Sequence, residues 1–370
     1  MSRFGNQWKN DVMNRVTKIL ILTFCAVLAL SSCRKNRHTP ELDNRPVSLN
    51  FRALSQDNAM KAGTKATPLA DKYNDFGVWG IARHDGQSPY ILWSSDAMTP
   101  VNKTVETVNN VEMTYFVPYS DAFWIRDYRY HFLAIAPYTD LDASVTATAS
   151  EDTPAEDALN FTYDMGAKYS DSDSDSDYEF DLLGASAASV VNESHARGAQ
   201  DLTFWHLLTK LTIEVSFVNE DGTSRPGTVS RMQLCNIDSK AAYTISFESD
   251  SESDSDALRV GCTSDASESQ VNLTFNNVST QTLNIVPQKI DDVELYLDFS
   301  VTENGQPAST TNFKVNLGAA IEGQPDAGYG YNEVYKWTIT ISPKIIKFTV
   351  SVTPWADYTD TNGDLNFDIQ

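Results

Sequence analysis

Apolar and polar residues alternate with a period of two along most of the chain after residue 46. Runs such as Leu211–Phe217, Tyr335–Ile341 and Ile345–Val352 place an apolar side chain at about every second position, which is the pattern of a strand with one buried face. No window of about 11 residues or more keeps the spacing of an amphipathic helix. The pattern therefore predicts a body built of β-strands.

The predicted strands are short and are separated by Gly, Pro, Asn and Asp, a spacing that favours β-sandwiches over an α/β sheet. They are Val47–Leu54, Phe76–Ala82, Tyr90–Ser94, Val111–Val117, Tyr128–Pro137, Asn160–Tyr163, Tyr178–Ala185, Leu202–Phe217, Val229–Ile237, Ala242–Phe247, Val271–Phe275, Thr282–Val286, Val293–Val301, Asn312–Leu317, Tyr335–Ile341 and Ile345–Val352. Turn signals at Asn219–Gly222, Asn304-Gly305 and Ser342–Lys344 predict hairpins between the flanking strands.

The chain of 370 residues is long for one hydrophobic core. Single cores rarely grow beyond about 250–300 residues, so we expect two domains. Small polar side chains and Gly198 interrupt the β pattern over residues 192–200. The sequence thus predicts one β-sandwich domain over residues 46–198 and another over 199–370.

The first 33 residues carry the marks of an export signal. Basic residues precede the apolar run Ile19–Leu30, and two serines come directly before Cys33. The apolar run is too short to cross a hydrocarbon core ~30 Å thick, which needs ~20 residues. The segment resembles a bacterial lipobox. This resemblance implies a signal peptide over residues 1–32, a diacylglycerol on Cys33 and a lipidated polar spacer over residues 33–45.

The chain is strongly acidic, with 28 basic and 50 acidic residues. Removal of the signal takes four basic residues and one acidic residue, so 24 and 49 remain and the net charge is −25. A surface of this charge repels nucleic acid and anionic lipid headgroups. We therefore expect no nucleic-acid partner.

Two acidic repeats, Ser170–Asp177 and Ser249–Asp256, interrupt the β pattern. Alternating like charges without apolar residues cannot bury surface, so both repeats are predicted to be solvated loops. The spacing of the aspartates from Asp171 to Asp177, and that of the tail Asp360–Asp368, imitates a calcium-binding loop. The required Gly and Glu are not at the sixth and twelfth positions, however, so we expect no metal site.

Two cysteines remain beside Cys33 in the chain without its signal, Cys235 and Cys262. In an oxidising compartment they can pair and close a loop of about 27 residues, worth ~3 kcal/mol in the chain-entropy model. Two buried thiols are the alternative, and the sequence does not decide between them.

The sequence contains no recognisable catalytic motif. Its five histidines form neither His-x-x-x-His nor His-Glu-x-x-His, and Gly184–Ala188 lacks the second glycine of a nucleophile elbow. His206 lies in the apolar run Phe204–Leu211, where a hydrogen-bonded structural histidine is expected. We therefore expect neither enzymatic activity nor a cofactor.

A series of motifs follows Cys33 in a recognisable order. It comprises Val47–Leu54, Thr64–Pro68, Phe76–Trp79, Asp181–Ala185, Leu202–Leu211, Val334–Trp337 and Val352–Trp355. The ordered set resembles the fimbrillin family of Bacteroidetes, in its Mfa-like branch, whose members build or anchor pili. The resemblance implies two tandem transthyretin-like β-sandwich domains and a lipoprotein precursor at the outer membrane that serves the fimbrium.

The resemblance also implies a mechanism of assembly. An extracellular Arg- or Lys-specific protease removes the first strand, and another subunit donates a C-terminal strand to the groove that is left. Arg52 and Lys65 are the cleavage candidates in this sequence. The removable strand would turn Val47, Leu49, Phe51 and Ala53 inward, and the donor candidates are Leu365, Phe367 and Ile369, which are spaced by two.

These implications describe a structural fimbrial subunit whose partners are other fimbrial subunits, identical or paralogous, and a ligand on a host or bacterial surface. The alternative is a non-polymerising surface lipoprotein, of anchor or tip type, that binds a glycan or a protein. Six tryptophans could supply its aromatic platforms or fill sandwich cores: Trp79, Trp93, Trp124, Trp205, Trp337 and Trp355. We expect the core role.

Overall fold

The structure is a computed structural model of the 370-residue chain. It describes residues 49–55, 75–93, 98–108, 111–125, 127–138, 145–150, 156–166, 169, 180–190, 199–247, 258–264, 269–290, 292–303, 306–307, 309–318, 328–355 and 367–369. The predictions for the signal, Cys33, Val47, Lys65, Leu365 and the two acidic repeats fall outside these residues and stay predictions.

Every named element of the described residues is a β-strand. The strands of the N-terminal half are β1 (Phe51–Ser55), β2 (Gly77–Arg83), β3 (Tyr90–Ile91), β4 (Thr99–Val108), β5 (Val111–Pro118), β6 (Arg129–Ala136), β7 (Thr146–Thr148), β8 (Ala158–Asp164), β9 (Leu183–Val190) and β10 (Gln200–His206). Those of the C-terminal half are β11 (Thr209–Phe217), β12 (Gly227–Asp238), β13 (Lys240–Phe247), β14 (Leu258–Ser264), β15 (Gln270–Asn276), β16 (Thr280–Ile285), β17 (Gln288–Lys289), β18 (Glu294–Glu303), β19 (Gln306–Pro307), β20 (Thr311–Asn316), β21 (Gly328–Tyr329), β22 (Glu333–Ile341), β23 (Ile346–Pro354) and β24 (Phe367–Ile369).

Strands of the N-terminal half form a closed ring. Eight strands lie in the order β3-β2-β4-β5-β1-β10-β9-β6, and β2 also pairs with β6. This extra pairing joins the two ends of the path from β2 to β6, so these strands surround a common interior. A cluster of buried side chains fills that interior, among them Phe51, Phe76, Phe132 and Phe204. We call it the ring core.

Strand β6 is buried on both faces. Its residues Phe132 and Ala134 belong to the ring core, whereas Leu133 and Ile135 belong to a second core outside the ring. Successive side chains of a strand point to opposite faces, and β6 reads Arg-Tyr-His-Phe-Leu-Ala-Ile-Ala. Because both faces carry apolar residues, another sheet must cover the ring from outside.

The cover is a four-stranded sheet in the order β14-β13-β8-β7. In this sheet β8 and β13 pair antiparallel from Lys240↔Asp164 to Ser246↔Ala158. His131 of β6 contacts Phe247 of β13, with ring centroids 5.0 Å apart. The pairing joins the two halves of the chain, because β8 comes from one half and β13 from the other.

The rest of the C-terminal half is a β-sandwich. One sheet has the order β16-β11-β22-β23-β24, and the other has the order β15-β12-β18-β19, with β20 also on β18. Phe217 of β11 packs against Phe299 of β18, and Phe313 of β20 stacks on Phe348 of β23. Alternate residues of β11 are buried, as its period-two sequence predicts. A short β17–β21 pair completes the fold.

The predicted all-β class is confirmed, and most predicted strands lie within a few residues of observed ones. The predicted strand Leu202–Phe217 is wrong as a single element, because the chain leaves the ring at Leu207 and enters the sandwich as β11. The turn at Asn219–Gly222 is present, with Gly222 at φ 81. It closes a short hairpin with an antiparallel bridge between Val218 and Ser224, but β11 and β12 themselves continue into different sheets.

The predicted division at residue 198 lies in the connection between two paired strands. β9 and β10 pair antiparallel from Thr203↔Ser186 to His206↔Leu183. The second core also contains residues from both halves, including Trp79 and Trp337. The ring therefore ends after His206, and residues 47–370 form one compact unit.

Candidate functional site

The first described strand, β1, closes the ring between β5 and β10. It runs parallel to β10 over five residue pairs, from Phe51↔Gln200 to Ser55↔Phe204. Its antiparallel pairing with β5 consists of the single pair Phe51↔Phe116. The backbone bonds of β1 are therefore made mainly with β10.

Three alternate side chains anchor β1 in the ring core. Leu49, Phe51 and Ala53 are 1%, 0% and 3% exposed. The Phe51 ring meets the edge of Phe132 at a centroid distance of 5.1 Å and lies 6.3 Å from Trp93. The structure thus brings together three of the four residues predicted to face inward. The fourth, Val47, lies outside the described residues.

The outer face of β1 carries an ion pair. Arg52 Nε donates to Asp201 Oδ1 at 2.5 Å, and Arg52 Nη2 donates to Asp201 Oδ2 at 2.7 Å. The two residues are direct partners in the parallel register, and their side chains are 42% and 43% exposed. Solvent screening at this exposure limits the worth of the pair to ~0–1 kcal/mol.

The two cleavage candidates differ in their relation to β1. Arg52 lies within the strand, so a cut there would leave Ala53–Ser55 in place. Lys65 follows the last residue of β1 in sequence. Cleavage after Lys65 would therefore separate the whole strand from the body of the protein.

Hydrogen bonds fix the connection between β5 and β6, which contacts the N-terminal end of β1 through Ala122. The Leu49 amide donates to the Ala122 carbonyl at 2.9 Å, and Trp93 Nε1 donates to the Ser120 carbonyl at 2.9 Å. The Tyr130 hydroxyl accepts a hydrogen bond from the Ile125 amide, and burial raises the pKa of Tyr130 to about 12. These bonds hold the point where β1 enters the ring.

Large apolar side chains are exposed on β3 and on the connection from β5 to β6. Tyr119 is 63% exposed and Tyr90 is 52% exposed, and the other members are Phe123 and Ile125. Trp93, Trp124 and Tyr128 pack against the ring core below them. We call the four exposed residues the aromatic rim.

The C-terminal segment pairs with a strand of its own subunit. The backbone of β24 forms antiparallel pairs with β23 from Phe348↔Ile369 to Val350↔Phe367. This places the backbone of two of the three donor candidates, Phe367 and Ile369, at an edge of the sandwich. It does not place them in the ring.

Sequence reasoning missed a short repeat that links the two ends of the chain. Residues 49–53 read Leu-Asn-Phe-Arg-Ala, and residues 365–369 read Leu-Asn-Phe-Asp-Ile. The first three residues are identical, and the fifth is apolar in both segments. A comparison of the candidate removable strand with the candidate donor strand would have revealed the repeat.

His206 is structural, as predicted. Its Nδ1 lies 2.7 Å from Asp181 Oδ2, both side chains are buried, and its ring stacks on Trp355 at a centroid distance of 3.9 Å. The Trp355 amide donates to the Asn332 carbonyl at 2.8 Å. These contacts fix the last described residue before the C-terminal segment.

Three of the six tryptophans fill cores, as expected: Trp79, Trp337 and Trp355 are buried. The other three, Trp93, Trp124 and Trp205, are half-buried. Of these, Trp93 and Trp124 pack against the ring core.

Cys235 and Cys262 are free thiols in the structure. Burial raises the pKa of Cys262 to about 11 and that of Cys235 above its usual value, which disfavours the reactive thiolate.

Among the described residues, no group of three His, Cys, Asp or Glu side chains could hold a metal ion. Within the same residues, no helix has the length and hydropathy to span a bilayer.

Solved structures with similarity to this chain include bacterial surface proteins. A protein described as a cell adhesion protein from Bacteroides uniformis is 16% identical, with a TM-score of 0.46 over 84% of this chain and 98% of its own. A fimbrial protein from Bacteroides vulgatus is 16% identical, with a TM-score of 0.42 over 83% and 99%. The tip fimbrial protein Mfa3 from Porphyromonas gingivalis is 10% identical, with a TM-score of 0.37 over 84% and 99%. No curated protein matches the chain.

A family model described as fimbrillin-like matches residues 71–355. This span is more than half of the chain and includes every strand from β2 to β23. It confirms the family that the ordered sequence motifs indicated. The protein therefore belongs to the fimbrillin-like family, and membership supports a role as a fimbrial subunit at the cell surface.

Proposed function

We propose that the protein is a fimbrial subunit that assembles by exchanging β1 for a strand of another subunit after proteolysis. The observation that carries the proposal is the position of β1. A segment near the N-terminus fills the gap between β5 and β10 and inserts Leu49, Phe51 and Ala53 into the ring core. A segment so placed can be cut from the body and replaced.

Loss of β1 would create a strong acceptor for an extended strand. The edges of β5 and β10 would present unpaired amides and carbonyls, and the ring core would open to water beside them. An incoming strand would satisfy both, because its backbone completes the sheet while alternate side chains fill the core. The energy that β1 now contributes would thus be available to hold two subunits together.

The sequence of the C-terminal segment fits this exchange. Leu365, Phe367 and Ile369 repeat the period and, in two positions, the identity of Leu49, Phe51 and Ala53. Release of β24 would break only three residue pairs with β23. Cleavage after Lys65 is the favoured trigger, because it frees the whole of β1.

The proposal includes export as a lipoprotein with acylated Cys33. Two or more acyl chains hold a protein at a membrane, because each buried CH₂ contributes about 0.8 kcal/mol. The same cut that removes β1 would also detach the body from the lipid, since Cys33 precedes Lys65. Release and assembly would then be one event.

The test is proteolysis of the purified full chain with an Arg- and Lys-specific protease, followed by size analysis. We expect a ladder of polymers from the wild type. We expect a monomer from a variant in which Arg52 and the three lysines between β1 and β2, Lys61, Lys65 and Lys72, are replaced by Ala. The matched control Lys103→Ala changes an exposed lysine on β4 and should polymerise like the wild type. Truncation after Trp355 should leave a folded monomer that does not grow.

A non-polymerising surface lipoprotein of anchor or tip type is the second candidate. The aromatic rim favours it, because exposed aromatic clusters mark binding surfaces for a glycan or a protein. The pairing of β24 with its own subunit agrees with a chain that donates no strand. A wild-type protein that loses β1 to the protease and stays monomeric would establish this reading and overturn exchange.

A further inference from the structure

The C-terminal segment repeats the sequence of β1 but reverses its charge. In register with Leu49-Asn-Phe, the segment Leu365-Asn-Phe places Asp368 where β1 has Arg52. An apolar residue follows in both segments. The segment therefore matches β1 at the side chains that enter the ring core and differs from it at the one that carries charge.

Arg52 lies opposite the carboxylate of Asp201. Asp201 is the direct partner of Arg52 on β10 and accepts two hydrogen bonds from its guanidinium. Asp201 belongs to β10, so it stays in the ring when β1 is cut away. A strand that enters in the register of β1 must place its fourth residue opposite this carboxylate.

Like charges that lie directly opposite each other in a sheet destabilise the pairing, and opposite charges stabilise it. With Asp368 at that place, the pairing with Asp201 changes from attraction to repulsion. The pair site is about half exposed, so solvent weakens the effect without removing it. Apolar contacts would thus set the register, and the charge at the fourth position would select among strands that share the register.

We propose that Asp201 is a specificity-determining residue of the groove that β1 leaves. This inference rests on the proposed strand exchange. The groove prefers a donor strand of the form Leu-x-Phe followed by a basic residue. It disfavours the Asp368 segment of an identical subunit. An identical subunit can still fill the groove, because the apolar side chains match, but a subunit with a basic donor strand would be preferred at this end.

The test uses two synthetic peptides. Each is added in excess to the full chain as soon as the protease has removed β1 and has been inhibited, so that it competes with the chain's own C-terminal segment for the groove. One peptide covers residues 358–370, and the other is the same with Asp368→Arg. We expect the Arg peptide to bind about tenfold more tightly at low ionic strength. The difference should shrink when added salt screens the charges.

Charge reversal in the groove supplies the matching test. Asp201→Lys should reverse the preference between the two peptides, and Asp201→Asn should nearly abolish it. If Asp201→Lys does not fold, Asp201→Asn alone tests whether residue 201 sets the preference. The control Glu214→Lys makes the same change on β11, where Glu214 pairs with Lys336 in the sandwich. It should leave the preference unchanged.

The outcomes separate this inference from the proposed function. If both peptides bind and Asp201→Lys leaves their ratio unchanged, Asp201 does not select and this inference is overturned while strand exchange stands. If neither peptide binds the cleaved chain, both the inference and strand exchange fail. A preference that follows residue 201 supports both.

Discussion

At the scale of single residues, the two faces of β1 contribute very different amounts to stability. Burial of an aromatic side chain such as Phe51 stabilises a core by several kcal/mol, whereas a half-exposed ion pair such as Arg52–Asp201 contributes ~0–1 kcal/mol. The inner face therefore holds the strand in place. The outer face adjusts which strand is held, because a small energy is enough to change a preference.

This division predicts unequal effects for two neighbouring substitutions. Phe51→Ala should lower the free energy of unfolding by about 3–5 kcal/mol, because it leaves a cavity against Phe132 and Trp93. Arg52→Ala should lower it by less than about 1 kcal/mol. Urea unfolding of the uncleaved protein measures both, and equal losses would show that the ring core does not anchor β1.

At the scale of elements, the sequence predicted strands better than it predicted their partners. Strict alternation made β11, β22 and β23 evident. β4 and β14 were missed because their sequences, Thr-Pro-Val-Asn-Lys-Thr-Val-Glu-Thr-Val and Leu-Arg-Val-Gly-Cys-Thr-Ser, are largely polar or interrupted. Such strands are stabilised by their neighbours in the sheet, which local pattern does not reveal.

The candidate site shows the same limit. The inward set of β1 could be predicted from alternation, but its partner β10 could not. Arg52 and Asp201 are 149 residues apart in sequence, and no local signal specifies a parallel pairing over that distance. The Leu-Asn-Phe repeat was the one available clue that the two ends of the chain suit a common groove.

The number of residue pairs predicts which strand separates first. β24 forms three pairs with β23, whereas β22 forms nine with β23 and nine with β11. Few pairs at a sheet edge mean a low free energy of local opening. Deletion of residues 356–370 should therefore change the free energy of unfolding by less than about 1 kcal/mol. A loss of several kcal/mol in urea unfolding would show that β24 is an integral part of the sandwich.

At the scale of the whole molecule, the two cores have separate relations to β1. The ring core contains Leu49, Phe51 and Ala53, whereas none of the described side chains of β1 belongs to the second core. The second core includes Trp79 of β2 and Trp355, which follows β23. The paired strands β8 and β13 also contribute buried side chains to it. Loss of β1 should thus open one core and leave the other closed.

Amide hydrogen exchange of the chain before and after cleavage tests this separation. Cleavage should speed exchange in β5 and β10, which lose their partner, and in the loop around Ala122, which loses its bond from Leu49. Protection in β11, β22 and β12 should stay unchanged, because the sandwich keeps its core. The uncleavable control is the variant with Ala in place of Arg52, Lys61, Lys65 and Lys72, which should keep the original protection in β5, β10 and the sandwich under the same protease treatment. If protection collapses across the sandwich as well, β1 supports the entire fold, and a cleaved subunit would be too unstable to wait for a donor strand.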